Sequence, residues 1–194
     1  MPVPVEWYKW VPDQITAEDY ERLPEDFCRS IEVIDGHMVK CESPSRVHNR
    51  VAYNLTTAFK AGRKPEPCLM VEGDIDVRFS DVPLSFRRPD VVVYRCIPDH
   101  ERLYSKDTLL VVEIISPESS FKTDTVEKKA AYADAGIPVY LIAFLNAAQD
   151  GVEKIEEYWL SPSGTYQLVQ LHTRRLTMAN PVPLDIGFAQ LTQP

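Results

Sequence analysis

Residues 108–119 read TLLVVEIISPES, with Glu113 set among six large aliphatic side chains. A short apolar run without alternation suits a central strand covered on both faces. A carboxylate buried in such a strand is costly unless something neutralises it. Upstream, RRPDVVVY (residues 87–94) places Asp90 at the opening of a second aliphatic strand. If the two strands form an antiparallel hairpin, the start of one meets the end of the other. A register that sets Asp90 opposite Glu113 has its midpoint between residues 101 and 102, inside the polar loop IPDHERLYSKD. Two neighbouring carboxylates repel. A divalent cation resolves the conflict, and Mg²⁺ suits it, because this ion takes hard oxygen ligands and leaves positions to water and phosphate.

Downstream, DTVEKKAAYADAG (residues 124–136) reads as a helix. Asp124 is its expected cap, Glu127 closes a capping box, and Gly136 ends it before Pro138. Lys128 and Tyr132 are four apart and share a face. Lys129 lies about 100° round from Lys128, so only one of the two lysines points at the acids. VYLIAFL (residues 139–145) is a further buried strand, and the helix joins two such strands as a crossover does. From residue 46 to 145 the expected order is helix, three strands, helix, strand: a mixed α/β sheet between helices.

The remaining elements are simpler. Thr16 to Asp19 reads as a capped helix start, ending before Pro24. IEVI, Asp35-Gly36 and HMVK form a hairpin, since Asp-Gly favours a primed turn. SRVHNRVAYNLTTAFKAG puts Val47, Val51, Leu55 and Ala58 at helical spacing, with Gly62 at the stop. DIDVRF alternates Ile75, Val77 and Phe79 against Asp74, Asp76 and Arg78. VEKIEEYWL, SPSG and TYQLVQL read as a hairpin outside the core. Residues 1–14, with Trp7, Tyr8 and Trp10, read as an irregular arm, and the proline-rich tail as a surface run.

Composition bounds the rest. The chain has 194 residues, 44% hydrophobic and 26% charged, which suits one soluble domain spanning 1–194 with its core at about 46–145. The longest apolar runs are strand-sized, so no membrane span is expected, and no secretory signal opens the chain. Cys28, Cys41, Cys68 and Cys96 make no CxxC pair, which points to reduced thiols and a cytoplasmic setting. A net charge of −8 argues against a strong nonspecific DNA binder.

Pro89-Asp90, Glu113-Ile114-Ile115-Ser116-Pro117, Asp124, Lys128-x-x-x-Tyr132 and Gly136-Ile137-Pro138 together resemble the Uma2 (DUF820) family of the PD-(D/E)xK nuclease superfamily. The likeness runs from about residue 15 to 160 and takes in Glu32-Val33-Ile34-Asp35-Gly36 and the helix of His48. It implies a restriction-endonuclease-like fold: a mixed central sheet flanked by helices, with an additional N-terminal hairpin and C-terminal hairpin. It also implies Mg²⁺-dependent hydrolysis of phosphodiester bonds in DNA, with Mn²⁺ as a substitute. Asp90 and Glu113 would bind the metal, joined by the backbone carbonyl of Ile114 or Ile115. Activated water would attack in line. Ile115 stands where the superfamily has its usual lysine, so the resemblance assigns that charge to Lys128. At residues 139–144 VYLIAF replaces the Glu-Tyr-Trp of many relatives. Superfamily analogy also implies a homodimer, through the aromatic arm or the hairpin at 153–171.

Each of these residues has a plainer reading. Glu113 could pair with Arg87 or Arg88, Asp90 could be a solvated strand cap, and Lys128 an ordinary helix lysine. Glu32 is either a hairpin-face acid or an accessory group in the cleft. His48 is either structural or an accessory base or phosphate contact; Tyr132 is a third accessory candidate. Asp76 reads as an outward strand acid. Ser116 and Ser119 have no histidine placed to activate them. Two functions follow: a metal-dependent endonuclease, or a catalytically silent relative serving as an interaction or oligomerisation module.

Overall fold

The apolar runs form strands where their composition indicates, in a computed structural model that describes residues 12–41, 43–117 and 121–193, the side chains of residues 121–125 excepted. The arm bearing Trp7, Tyr8 and Trp10, the Ser119 hydroxyl and the Asp124 side chain lie outside the described residues. The chain divides into two compact units, one from Met1–Ser43 with Asp76–Arg88, the other from Pro44–Ile75 with Pro89–Pro194.

The first unit opens with α1 (Ala17–Glu21), where Thr16 and Asp19 complete the expected capping box, and continues with α2 (Glu25–Cys28). Strands β1 (Ile31–Ile34) and β2 (His37–Lys40) flank Asp35 and Gly36, both at positive φ, as a primed turn requires. This hairpin belongs to a larger sheet. Strands β4 (Val77–Asp81) and β5 (Leu84–Arg87) extend it in the order β2-β1-β5-β4. Its core is Ile15, Tyr20, Leu23, Ile31, Val33, Leu84 and Phe86. The alternation read in DIDVRF does not hold. The strand begins at Val77, a bulge falls between Arg78 and Ser80, and Arg78 is buried against Asp81 at 3.0 Å.

The second unit is built on a six-stranded sheet. Its strands are β3 (Leu69–Glu72), β6 (Val91–Arg95), β7 (Thr108–Ile115), β8 (Val139–Leu145), β9 (Val152–Leu160) and β10 (Tyr166–His172), in the order β10-β9-β8-β7-β6-β3. Only β7 and β8 run parallel, joined by the crossover helix α4 (Phe121–Asp134). This helix starts three residues before the expected cap at Asp124. Helix α3 (Arg46–Gly62) is capped by Ser45 and buries Val51, Leu55 and Phe59. They pack with Val91, Val93, Leu110, Val112, Leu141 and Ile155, which a period of two places on one face of the sheet. Glu113, Val111 and Tyr140 fall on the other face. There α4 lies over them, with the rings of Tyr132 and Tyr140 at 5.3 Å.

Three expectations change here. The hairpin of β9 and β10 does not stand apart: β9 pairs with β8 along its length, and Ile155 is fully inside the core. The tail is not a surface run either. It forms β11 (Arg175–Met178), β12 (Leu184–Gly187) and α5 (Phe188–Leu191), and Leu176, Val182, Leu184, Phe188 and Leu191 close the core against α3. Gly62 admits this closure, because a Cβ there would overlap the Pro183 carbonyl oxygen. Finally, Cys68 and Cys96 are not reduced thiols but a disulfide. They lie one step beyond the Leu69–Arg95 pair of the antiparallel β3 and β6, so strand pairing brings residues 28 apart in sequence face to face. Cys28 and Cys41 are not disulfide-bonded. Among the described residues no helix is long and apolar enough to cross a membrane.

Candidate active site

Strand register sets the geometry. Val91 pairs with Val112, Val92 with Val111 and Val93 with Leu110, so Asp90 falls opposite Glu113, one step beyond the last paired residues. This is the register expected from the sequence.

Asp90 is held from two sides. Its Oδ2 accepts the backbone N–H of Ile114 at 2.7 Å, and its Oδ1 lies 2.7 Å from Nε2 of His48 in the first turns of α3. Its backbone is braced by the turn after β3. Asp74 N–H donates to the Pro89 carbonyl at 3.3 Å, and a Cβ on Gly73 would stand 2.7 Å from the Asp90 carbonyl oxygen. Glycine is therefore required at 73 for the two backbones to approach. A glycine beside a strand hints at a close backbone approach, but the local sequence does not say what approaches.

Glu113 is buried and fully engaged. Lys128 Nζ donates to Oε2 at 2.9 Å, and the Tyr132 hydroxyl donates to Oε1 at 2.6 Å. The i, i+4 spacing of Lys128 and Tyr132 lets one helix face satisfy both carboxylate oxygens. Lys129 points elsewhere: its Nζ sits 3.5 Å from the ring centroid of Tyr158 on β9. The choice between the two lysines is thus made by the phase of α4.

The plainer partners proposed for Glu113 are used in the other unit. Arg87 binds Glu32 at 2.9 Å, and Glu32 also accepts the Arg88 N–H. Arg88 pairs with Asp76 at 2.7 Å. Asp76 is accordingly an ion-pair partner rather than a solvated outward acid.

The two acids are not left to repel one another. Lys128 faces Glu113, and His48 faces Asp90. Burial works to lower the His48 pKa from its ordinary 6.5, but the hydrogen bond to Asp90 and the carboxylates of Asp90 and Glu113 prevail over burial and the Lys128 charge, and it is raised.

The donor set fits a hard cation of Mg²⁺ type. Among the described residues no group of three His, Cys, Asp or Glu gathers to hold a metal alone. Mg²⁺ does not need one, since it is bound through one or two carboxylates and keeps water and phosphate in its other positions. Each carboxylate oxygen here accepts a hydrogen bond, and an ionised carboxylate offers about four lone-pair sites in all. In a strand a residue's N–H and C=O point the same way, so the Ile114 carbonyl lies on the Asp90 side as its N–H does.

Residues 17–191 match the Uma2 family, whose description is "Putative restriction endonuclease". The chain belongs to the Uma2 family. A search of curated proteins gives no match. Among solved structures, the Uma2 chain is similar to "a putative nuclease belonging to DUF820 from Anabaena variabilis ATCC 29413". The TM-score is 0.65 at 16% identity, covering 92% of this chain and 97% of that one. At that identity the likeness is one of fold. The mixed sheet with its crossover helix is thus an architecture shared with that DUF820 protein.

Proposed function

We propose that this Uma2 protein is a Mg²⁺-dependent endonuclease that hydrolyses phosphodiester bonds in DNA, with Asp90, Glu113 and Lys128 as its catalytic residues. The observation that supports it is the convergence of the three groups. Strand register sets Asp90 beside Glu113, and α4 sets the Lys128 ammonium 2.9 Å from the same glutamate. Asp90, Glu113 and the Ile114 carbonyl would hold the ion, with Mn²⁺ as a substitute. The ion would supply a Lewis acid for the scissile phosphate and lower the pKa of a water.

The chain's own groups do the rest. Lys128 offsets negative charge developing on the phosphate oxygens, in a site where a fixed cation costs no reorganisation. Tyr132 fixes the Glu113 carboxylate by donating to Oε1. His48 orients Asp90 and can carry a proton at Nε2. Glu32, bound to Arg87 in the first unit, has a structural role that accounts for its burial.

The test is cleavage of plasmid DNA with and without Mg²⁺. Wild type should cut, and Asp90→Asn, Glu113→Gln and Lys128→Ala should each lose cutting by orders of magnitude while remaining folded. A second reading, a silent interaction module, draws on the fact that Lys128 and Tyr132 satisfy Glu113 without any cation. It is favoured if Mn²⁺ titration shows no binding that Glu113→Gln removes.

Of the two contacts expected by analogy for a homodimer, we propose the hairpin, through β10. This edge strand exposes Leu168, Val169 and Leu171, and residues 161–173 carry no Asp, Glu, Lys or Arg in a chain of net charge −8. An uncharged open edge is suited to antiparallel pairing with its own copy.

A further inference from the structure

The face of the sheet that carries Glu113 continues beyond it. Glu113 is level with Ile142 on β8, and Ile142 with Glu156 on β9. Residues level across a sheet share a face, so Glu156 lies on the same side about 10 Å away, two strand spacings on. Glu156 repeats the arrangement of Glu113. It accepts from Lys154 Nζ at 2.7 Å and from the Tyr158 hydroxyl at 2.7 Å.

Lys129 is the group this arrangement does not use. It is half-buried and sits over the Tyr158 ring, and among the described residues it has no carboxylate in ion-pairing distance. An aromatic face attracts an ammonium but cannot accept its three N–H donors as oxygens do. Burial lowers the Lys129 pKa, against the opposing pull of Glu156. A desolvated cation with donors to spare favours an anion with several oxygens.

We infer that Lys129 is a phosphate-binding subsite that holds the substrate strand next to the phosphate being cleaved. The inference rests on the proposal that the substrate is a nucleic acid. It also reconciles that proposal with the acidic chain. Once a cation offsets Asp90 and Glu113, Lys128, Lys129 and Lys154 stand against Glu156 beside them, with Glu72 out on β3 at the far edge of the same face. Lys129 touches neither acid of the cation pair, so it is a binding residue and not a catalytic one.

The experiment is binding of a fluorescein-labelled single-stranded oligonucleotide, followed by anisotropy over a series of salt concentrations with Ca²⁺, another hard oxygen-bound cation, in place of Mg²⁺ and with the probe checked to be intact. Lys129→Gln should weaken binding several-fold and reduce the slope of log K against log salt by about 0.7, the loss of one phosphate contact. Lys129→Arg should restore the slope, and Mn²⁺ affinity should be the same in all three proteins. In cleavage, Lys129→Gln should raise KM and leave kcat unchanged. An unchanged salt slope in Lys129→Gln overturns the subsite and leaves the nuclease proposal intact. A reduced slope in a protein that cuts nothing upholds the subsite and overturns the hydrolytic proposal. Wild type that binds no oligonucleotide overturns both.

Discussion

Asp90 is tied to the main chain of Ile114, the neighbour of Glu113, through a 2.7 Å hydrogen bond from N–H to Oδ2. The Asp90 carboxylate is therefore anchored to the strand that carries Glu113.

This linkage governs the response to neutralising the two acids. Each carboxylate has its own donors, so Asp90→Asn and Glu113→Gln should both destabilise the metal-free protein, by about 1–3 kcal/mol for a lost charge-assisted bond. In wild type, Mg²⁺ at about 100 times its Kd should add about 2.7 kcal/mol to stability. Glu113→Gln should abolish that gain. Thermal melts with EDTA and with Mg²⁺ check both points.

Gly73→Ala should act at a distance from the chemistry. The new Cβ has no room beside the Asp90 carbonyl, so Asp90 must shift. The expected result is a fall in Mn²⁺ affinity of at least tenfold, larger than the accompanying loss of stability accounts for. Calorimetric titration beside a melt separates the two.

Acid should weaken the β9 face. Burial tends to raise the Glu156 pKa, but hydrogen bonds from Lys154 and Tyr158, with the charges of Lys154 and Lys129, outweigh it and hold it below its ordinary 4.5. A depressed folded pKa gives stability that is present above 4.5 and lost as pH falls through the lowered value. Between pH about 5 and about 3, Glu156→Gln should lose less stability than wild type. Urea melts at each pH measure this.

Removing the Cys68–Cys96 bridge frees a loop whose ends are 28 residues apart. Cys68→Ser with Cys96→Ser should cost about 3–4 kcal/mol on the chain-entropy account. Thiol titration of the unfolded protein checks the bridge itself: two of the four cysteines should react before reduction and all four after.

Leu168→Lys puts charge on the open edge of β10. If two copies pair there, the sedimentation coefficient should fall from that of a dimer to that of a monomer, with the melting temperature at low concentration little changed. A wild-type monomer at high concentration removes the dimer assignment.

What the sequence revealed follows from where its signals are local. The runs of β6, β7 and β8 are apolar on both faces and joined by one polar loop or one helix, so their pairing and the Asp90–Glu113 register were legible. So was the sharing of one helix face by Lys128 and Tyr132. The choice of Lys128 over Lys129 needed the phase of α4 against the sheet, which spacing alone does not supply. β3 and β5 are four residues each and carry too few positions to show a period. The disulfide depends on a pairing of distant strands, and the tail on apolar residues scattered among prolines. Gly73 needed knowledge of what passes beside it.

The tail has one more consequence. Asn54 Nδ2 donates to the carbonyls of Leu191 and Gln193, and Leu191 is wholly enclosed. Ribosomes make α3 long before the segment that seals it. During synthesis the oily side of α3 and the sheet beneath it must wait uncovered, which is when a chaperone would find this protein most in need of company.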